Sequence, residues 1–204
     1  MNSRRKGAES KIRGIEQEYP VSAKANLNPS LLVNAAIRGL KRRGFSQDVV
    51  WDTATEISQE VHESRIASSY GNNGCRIYND MGHLEISTPS YNNPVDAMAY
   101  EKASEIYALV GAREASLALK KEVLVHRNNV ANIVLEKGVW KGKRVKTITY
   151  ATHGNIITLR DACKDWNRVE RALIPWVITR IIFTGSGDVV SGEFIGQEGV
   201  KFVI

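Results

Sequence analysis

The stretch of sequence that decides the fold is Arg76-Ile77-Tyr78-Asn79-Asp80-Met81-Gly82-His83-Leu84-Glu85-Ile86-Ser87-Thr88, which is typical of β-structure. Residues two apart in a strand point the same way, so His83 and Glu85 share one face. A second segment, Gly14-Ile15-Glu16-Gln17-Glu18-Tyr19, follows the same pattern, with Glu16 and Glu18 on one face and the residues between them on the other. Both segments therefore predict strands that carry acidic side chains on one side.

Carboxylates gathered in this way favour a bound cation. Like charges held a few ångströms apart on one sheet face repel one another and raise each other's pKa. A magnesium ion, which prefers oxygen ligands, is the usual means of keeping such groups ionised. For Glu16 and Glu18 taken alone, a solvated strand face is the alternative interpretation.

The composition is that of a folded globular protein. The chain has 204 residues, of which 43% are hydrophobic and 25% charged, enough for one domain or a large part of one. It has neither the run of roughly 18 apolar residues that a membrane span needs nor an apolar secretion signal, so we expect a cytoplasmic protein without a membrane partner. Cys75 and Cys163 form no CxxC motif and predict neither a disulfide framework nor a zinc site.

The net charge of +6 is concentrated in three short clusters, at residues 4–6, 41–43 and 141–146. No cluster is interleaved with stacking aromatic residues, and no helix-turn-helix or RNA-binding signature accompanies them, so we expect no specific nucleic-acid partner. Solvated surface is the simplest interpretation. A polyphosphate ligand or an acidic protein partner would be served by the same charge.

The rest of the chain alternates between strands and helices. We expect a disordered basic tail at residues 1–10, a strand over 11–19, and helices opened by Asn28-Pro29 and Asn93-Pro94, the first ending at Gly44 and the second near residue 120. The second helix carries apolar residues at helical spacing, which predicts a core-facing stripe: Ala97, Tyr100, Ala103, Ile106, Tyr107 and Val110.

The remaining segments complete this pattern. Strands are expected at residues 122–129 and 145–152, a helix over 159–183 with a kink at Pro175, and two short strands at the end of the chain. The polar stretch 45–73 is harder to interpret, and within it residues 59–67 predict a short helix or a mobile loop. The chain ends inside an apolar strand pattern, which predicts either a covering partner or a longer protein.

In order along the chain, these segments resemble the Pup ligase and Pup deamidase/depupylase family of enzymes, which act on a prokaryotic ubiquitin-like modifier. The matching segments are residues 14–19, 73–80 with His83, Glu85 and 87–89, 93–97, 101–103, 127–130, 150–155 and 175–187. The resemblance implies an α+β fold like that of glutamine synthetase and the carboxylate-amine ligases, with a curved, mostly antiparallel sheet that cradles Mg-ATP and is backed by helices. Residues 11–204 would be the N-terminal part of such a catalytic domain, incomplete at its C-terminus.

The resemblance also implies roles for individual residues. Glu16, Tyr78 and Glu85 would bind magnesium, joined by Glu18 and by His153, which is similar to a histidine near the phosphates and second metal in glutamine synthetase-like enzymes. Arg76 and Thr88 would contact ATP. Asp80 would be the catalytic carboxylate, as general base or as nucleophile. The structural alternatives are a core aromatic for Tyr78, a surface ion pair for Arg76, a cap for Thr88 and a hydrogen-bonded structural residue for His83.

Within the family, the sequence favours the deamidase/depupylase branch. Asp80 precedes His83 by three residues, as in that branch, whereas the ligases usually carry one more residue there. The implied reaction is cleavage of the side-chain amide of Pup's C-terminal glutamine, or of the isopeptide bond in pupylated proteins, with Mg-ATP as a cofactor. A Pup ligase and a non-catalytic remnant that binds nucleotide or modifier are the alternatives. Pro20, Leu84, Ile86 and Gly154 depart from the family pattern.

Overall fold

The structure is a computed structural model that describes residues 12–24, 27–48, 68–127, 130–131, 148–158, 160–184, 188–194 and 197–203. The predicted tail at residues 1–10 and the segment 59–67 lie outside this part of the chain. The strands are β1 Arg13–Tyr19, β2 Val21–Ala23, β3 Ser46–Asp48, β4 Ser68–Gly71, β5 Arg76–Asp80, β6 His83–Ser87, β7 Val123–Val125, β8 Val130–Ala131, β9 Ile148–Thr149, β10 Thr152–Ile156, β11 Asp188–Phe194 and β12 Gln197–Val203; the helices are α1 Pro29–Arg42, α2 Pro94–Leu119 and α3 Trp166–Thr184.

A six-stranded sheet in the order β10-β1-β6-β5-β4-β3 is the centre of the first of two compact units, which comprises residues 1–125 and 152–158. Every neighbouring pair in this sheet is antiparallel. The fold class predicted from the sequence, a mostly antiparallel sheet with helices, is confirmed. The short strands β3 and β4 extend it on one side and were not predicted, and β10 extends it on the other side, where the sequence placed a strand ending at residue 152.

The two helices of this unit begin where the Asn-Pro pairs predict. The Asn28 side chain accepts a hydrogen bond from the Ser30 N–H at 2.9 Å, which caps α1, and Gly44 follows the helix with a φ of 73°. Asn93 caps α2 in the same way, accepting from the Asp96 N–H at 2.9 Å. These side chains satisfy helix N–H groups that have no partner within the helix, while glycine adopts a left-handed backbone at little cost.

One face of the sheet and α1 form the core. The buried core residues come from the sheet, the two helices, the β2–β7 pair and the turn before β5: Tyr19, Val21, Leu32, Val33, Ala35, Ala36, Ile37, Leu40, Cys75, Ile77, Leu84, Ile86, Tyr107, Ala108, Ala112, Ala115 and Val123. The helices approach closely because small residues lie at the crossing: a Cβ added to Gly39 would lie 2.3 Å from the Cβ of Glu114. Glu114 is buried there and pairs with Arg43 at 3.0 Å.

The core-facing stripe predicted for α2 is wrong in part. Tyr107 is buried, but Ile106 is 56% exposed, and the buried face is instead formed by Ser104, Tyr107, Ala108, Gly111, Ala112, Glu114 and Ala115. The helix has apolar residues on all sides, so the spacing of apolar residues cannot identify the inner face. Close packing against α1 selects the small residues, as the 3.2 Å from a Cβ added to Gly111 to the Cβ of Ala36 shows.

The second compact unit comprises residues 126–151 and 159–204. It contains the β8–β9 pair, a 3₁₀ helix at Arg160–Cys163, α3, and the antiparallel hairpin of β11 and β12. The helix predicted from residue 159 begins at Trp166, and Pro175 lies within it. Within the described part of the chain, no helix is both long and apolar enough to cross a lipid bilayer.

Candidate functional site

The polar face of the sheet gathers the candidate residues by strand register. Glu18 on β1 lies directly opposite Glu85 on β6, and Glu85 in turn lies opposite Tyr78 on β5. Glu16 lies opposite His153 on β10. Directly opposed residues of antiparallel strands have their side chains on the same face of the sheet. The register therefore brings together candidate residues from two separate segments of the sequence, and it adds His153 from a third segment.

A tight turn fixes the end of the β5–β6 hairpin. Met81 and Gly82 form a two-residue connection with φ angles of 51° and 95°, so Asp80 and His83 are the last opposed pair. Left-handed backbone at both turn positions matches the twist of the flanking strands. The Gly82 N–H donates to Asn79 Oδ1 at 2.8 Å, and Asn79 Nδ2 donates to Asn34 Oδ1 of α1 at 2.8 Å. The turn is thereby tied to the helix behind the sheet.

Glu85 is the most strongly perturbed carboxylate of this face. Only 4% of the residue is exposed. Burial raises the pKa of Glu85 to about 7, and the negative charges of Asp80, Glu16 and Glu18 raise it further. A hydrogen bond from Tyr78 offsets part of this shift. The pKa of Tyr78 is itself raised, first by burial and then by its contact with Glu85, so the phenol is neutral and is a hydrogen-bond donor.

Beside this group, Glu18, Asp80 and His83 each offer a ligand atom within 4.8 Å of the others. His83 Nδ1 lies 3.4 Å from one carboxylate oxygen of Glu18, and His153 Nε2 lies 3.4 Å from the other. The edge strand β10, which carries His153, is held by the Thr152 hydroxyl donating to Gln17 Oε1 at 2.6 Å. The buried carboxylate of Glu18 therefore has an imidazole at each oxygen.

Arg76 and Thr88 lie on the same part of the sheet. The Arg76 guanidinium carbon is 4.5 Å from the centre of the Tyr78 ring, and its Nε donates to Ser68 Oγ at 3.4 Å. The Thr88 hydroxyl oxygen accepts the Ile15 N–H at 3.0 Å, while the Thr88 N–H donates to the Ile15 carbonyl at 2.8 Å. Thr88 is thus tied to β1 through its oxygen, and its hydroxyl hydrogen is the group that can serve a ligand.

The arrangement fits a divalent cation. At an effective dielectric constant of about 20, two unit charges about 5 Å apart repel by roughly 3 kcal/mol. The carboxylates of this face, of which Glu18 and Glu85 are buried and Glu16 and Asp80 half-buried, are therefore costly without a counter-charge. Glu16, Tyr78 and Glu85 supply oxygen donors, which suit magnesium. Glu18 adds a further carboxylate close by, and His83 and His153 beside it add nitrogen donors. The predicted metal ligands share one face, and their roles stay predictions.

His83 lies within the candidate site, although the sequence assigns it no role there. A histidine beside a glutamate on a strand is more often a hydrogen-bonded structural residue than a ligand, and this interpretation of His83 stays open. The structure puts it opposite Asp80 and against Glu18. The available signal was its position, two residues before Glu85 on the same face, but the contact with Glu18 depends on pairing between β1 and β6, which a single segment does not reveal.

A comparison with family models matches residues 11–204 to the Pup-ligase protein family. The chain belongs to this family. Among its relatives, the depupylase of Acidothermus cellulolyticus is 30% identical, with 94% of this chain and 40% of the relative covered. The Pup deamidase/depupylase of Mycolicibacterium smegmatis is 27% identical over the same shares, and the Pup–protein ligase of Acidimicrobium ferrooxidans is 27% identical with 88% of this chain and 34% of the relative covered.

A solved structure supports the fold of this Pup-ligase family chain. The crystal structure of the complex between the prokaryotic ubiquitin-like protein Pup and its ligase PafA aligns with a TM-score of 0.66 and 21% identity, covering 94% of this chain and 34% of that one. At this identity the likeness concerns the fold. The chain spans about 40% of the length of the depupylases it matches. Its relatives include both depupylases and Pup–protein ligases.

Proposed function

We propose that this chain is a Mg-ATP-dependent amidohydrolase of the Pup deamidase/depupylase type, which acts on the C-terminal glutamine of a ubiquitin-like modifier or on its isopeptide bond to protein lysines. The observation that carries the proposal is the placement of Asp80. It lies at the end of a hairpin whose turn is tied to α1, next to a buried group of carboxylates that fits a cation. The cytoplasmic location stays a prediction from the sequence.

The chain's own residues would divide the work between binding and reaction. Glu16, Tyr78 and Glu85 would hold magnesium, with Glu18 and His153 as further donors, and Arg76 and Thr88 would contact the nucleotide. The bound cation would supply positive charge that keeps the buried carboxylates ionised and attracts phosphate oxygens. Arg76 stacks on the Tyr78 ring, which fixes the plane of its guanidinium group beside the acidic site.

Asp80 would act on the amide carbon of the substrate. In the overall hydrolysis, water adds to the carbonyl carbon, the C–N bond breaks, and the nitrogen leaves as ammonia or as a lysine amine once it has gained a proton. Asp80 serves this reaction either by accepting a proton from the water or by attacking the carbonyl itself. The hydrogen bond from the Gly82 N–H to Asn79 fixes the turn that follows Asp80. This limits how far the Asp80 carboxylate can shift.

A Pup–protein ligase is the second candidate, because such ligases are among the relatives. The turn favours the hydrolase. Only Met81 and Gly82 separate Asp80 from His83, which is the spacing that resembles the depupylase branch. One more residue would change the register of the hairpin and move His83 from its place opposite Asp80.

The test is turnover by the purified chain and by Asp80→Asn. With Mg-ATP and a modifier ending in glutamine, we expect mass spectrometry to show conversion of glutamine to glutamate without stoichiometric ADP release. We expect Asp80→Asn to lower this rate by at least about 100-fold, in the range of a lost acid–base group, while ATP binding is kept. ADP formed in step with conjugates would identify a ligase, and no turnover by a folded chain that binds ATP would support the non-catalytic alternative.

A further inference from the structure

The short distance between Asp80 and Glu18 creates a conflict within the candidate site. Their carboxylate oxygens lie within 4.8 Å of each other. Two carboxylates at this spacing are a natural pair of ligands for one divalent cation, and metal-binding sites are strengthened by each added carboxylate. A reacting carboxylate that also ligated the metal would have its oxygen lone pairs engaged. The protein therefore needs a means of keeping the two groups apart.

We propose that His83 is a positioning residue that holds Glu18 in place and keeps Asp80 outside the coordination sphere of the cation. The inference rests on the proposed function, in which Asp80 acts on the substrate. His83 approaches one oxygen of Glu18 to 3.4 Å, and it is the residue opposed to Asp80 in the last pair of the hairpin. Of the three clustered residues Glu18, Asp80 and His83, only His83 has no carboxylate, so it can lie between the two acidic side chains without adding negative charge.

The surroundings of His83 give it the rigidity that this role requires. Its side chain is 18% exposed, so its rotation is restricted by its neighbours. The adjacent Gly82 is bonded to Asn79, and a Cβ added to Gly82 would lie 3.2 Å from Pro29, which shows how closely the turn packs on α1. His153 approaches the second oxygen of Glu18, so the carboxylate is held on both sides.

The test is manganese affinity, measured by calorimetry and by the loss of the free-ion electron paramagnetic resonance signal. In His83→Ala, Asp80 gains access to the cation, so we expect binding to tighten by on the order of tenfold through one added carboxylate ligand. In the double variant His83→Ala with Asp80→Asn, the gain should disappear. His83→Asn, whose amide nitrogen can take the place of Nδ1, should keep the wild-type affinity. His126→Ala is the control, an exposed histidine outside the site.

Each outcome decides the proposal. Tighter binding in His83→Ala that depends on Asp80 supports it. Weaker binding would show that His83 supports cation binding, as a ligand or through Glu18, rather than excluding Asp80, and it would overturn the proposal, as would unchanged binding or none in any variant. If His83→Ala does not fold, His83→Gln replaces it, because its longer side chain cannot place the amide at Nδ1. The measurement needs no turnover, so failure of the wild-type chain to hydrolyse an amide would defeat the proposed function without changing this result.

Discussion

The two faces of the six-stranded sheet are made by the same strands and have opposite chemistry. On β5 and β6, Ile77, Leu84 and Ile86 are completely buried toward the helices. The residues that alternate with them include Tyr78, Asp80 and Glu85, which lie on the other face. The apolar face stabilises the fold by removing apolar surface from water, whereas the repulsion between neighbouring carboxylates on the polar face destabilises it. Residues one position apart along these strands therefore belong alternately to the stabilising core and to the candidate site.

The largest effect is expected on the apolar face. Ile86→Ala removes a completely buried side chain and leaves a cavity between the sheet and the helices, so we expect the free energy of unfolding to fall by about 2–5 kcal/mol. Urea unfolding measures the change. Ile106→Ala, on the exposed side of α2, is the matched control and should cost less than about 0.5 kcal/mol. Equal losses in the two variants would place Ile106 in the core after all.

On the polar face, the neighbouring residue should respond in the opposite direction. Burial and nearby carboxylates raise the pKa of Glu85 to about 7 from an ordinary 4.5, so the protonated form is favoured by folding. Ionisation of Glu85 should therefore lower the free energy of unfolding of the metal-free wild-type chain as the pH rises from about 4.5 to about 7, and this loss should be complete above that range. Glu85→Gln removes that loss and should stabilise the metal-free chain at pH 8 by at most about 3 kcal/mol.

The measurement is urea unfolding of the wild-type chain and of Glu85→Gln from about pH 5 to about pH 8 with a chelator present. Glu122→Gln is the control, since this carboxylate is more than half exposed and pairs with Lys24 on the surface. Wild-type and Glu85→Gln curves that run parallel over this range would contradict the buried, perturbed carboxylate.

The smallest effect is expected at the turn that joins β5 to β6. Met81 has a φ of 51°, a left-handed conformation that costs a non-glycine residue about 1 kcal/mol. Asparagine tolerates this conformation, and Asn-Gly is a favoured sequence for such a turn. We therefore expect Met81→Asn to stabilise the chain by about 1 kcal/mol in thermal unfolding. Lys120→Asn, at the other left-handed non-glycine position, should give a similar gain away from the hairpin. A loss in Met81→Asn alone would mean that the Met81 side chain contributes to stability.

The division between the faces could be predicted from sequence because it depends on alternation within one strand. The same holds for the two helix starts, where Asn and Pro act locally. Strands β3 and β4 were missed because Ser46–Asp48 and Ser68–Gly71 are short and polar, so no alternation of apolar and polar residues marks them. β4 is placed by its antiparallel pairing with β5, and β3 by its pairing with β4, which lies about 20 residues further along the chain.

The candidate site was predictable to a similar extent. The resemblance to the family supplied its residues, and the register shows that those on β1, β5, β6 and β10 share a face. The histidine contacts of Glu18 could not be predicted, since they depend on the order of three strands that are far apart in the chain. The inner face of α2 could not be predicted either, because the helix has apolar residues on all sides and its buried face depends on packing against α1.

Calorimetric titration of Mg-ATP into the wild-type chain, Glu16→Gln and Glu85→Gln, with Glu122→Gln as the control, measures directly whether the polar face binds metal and nucleotide. We expect saturable binding by the wild type and the control, accompanied by thermal stabilisation that grows with ligand concentration, of about 2.7 kcal/mol at 100 times the Kd. Both site variants should lose this binding while staying folded. A folded wild-type chain that binds no Mg-ATP, or site variants that bind it as the wild type does, would contradict the assignment of the polar face as a metal-nucleotide site.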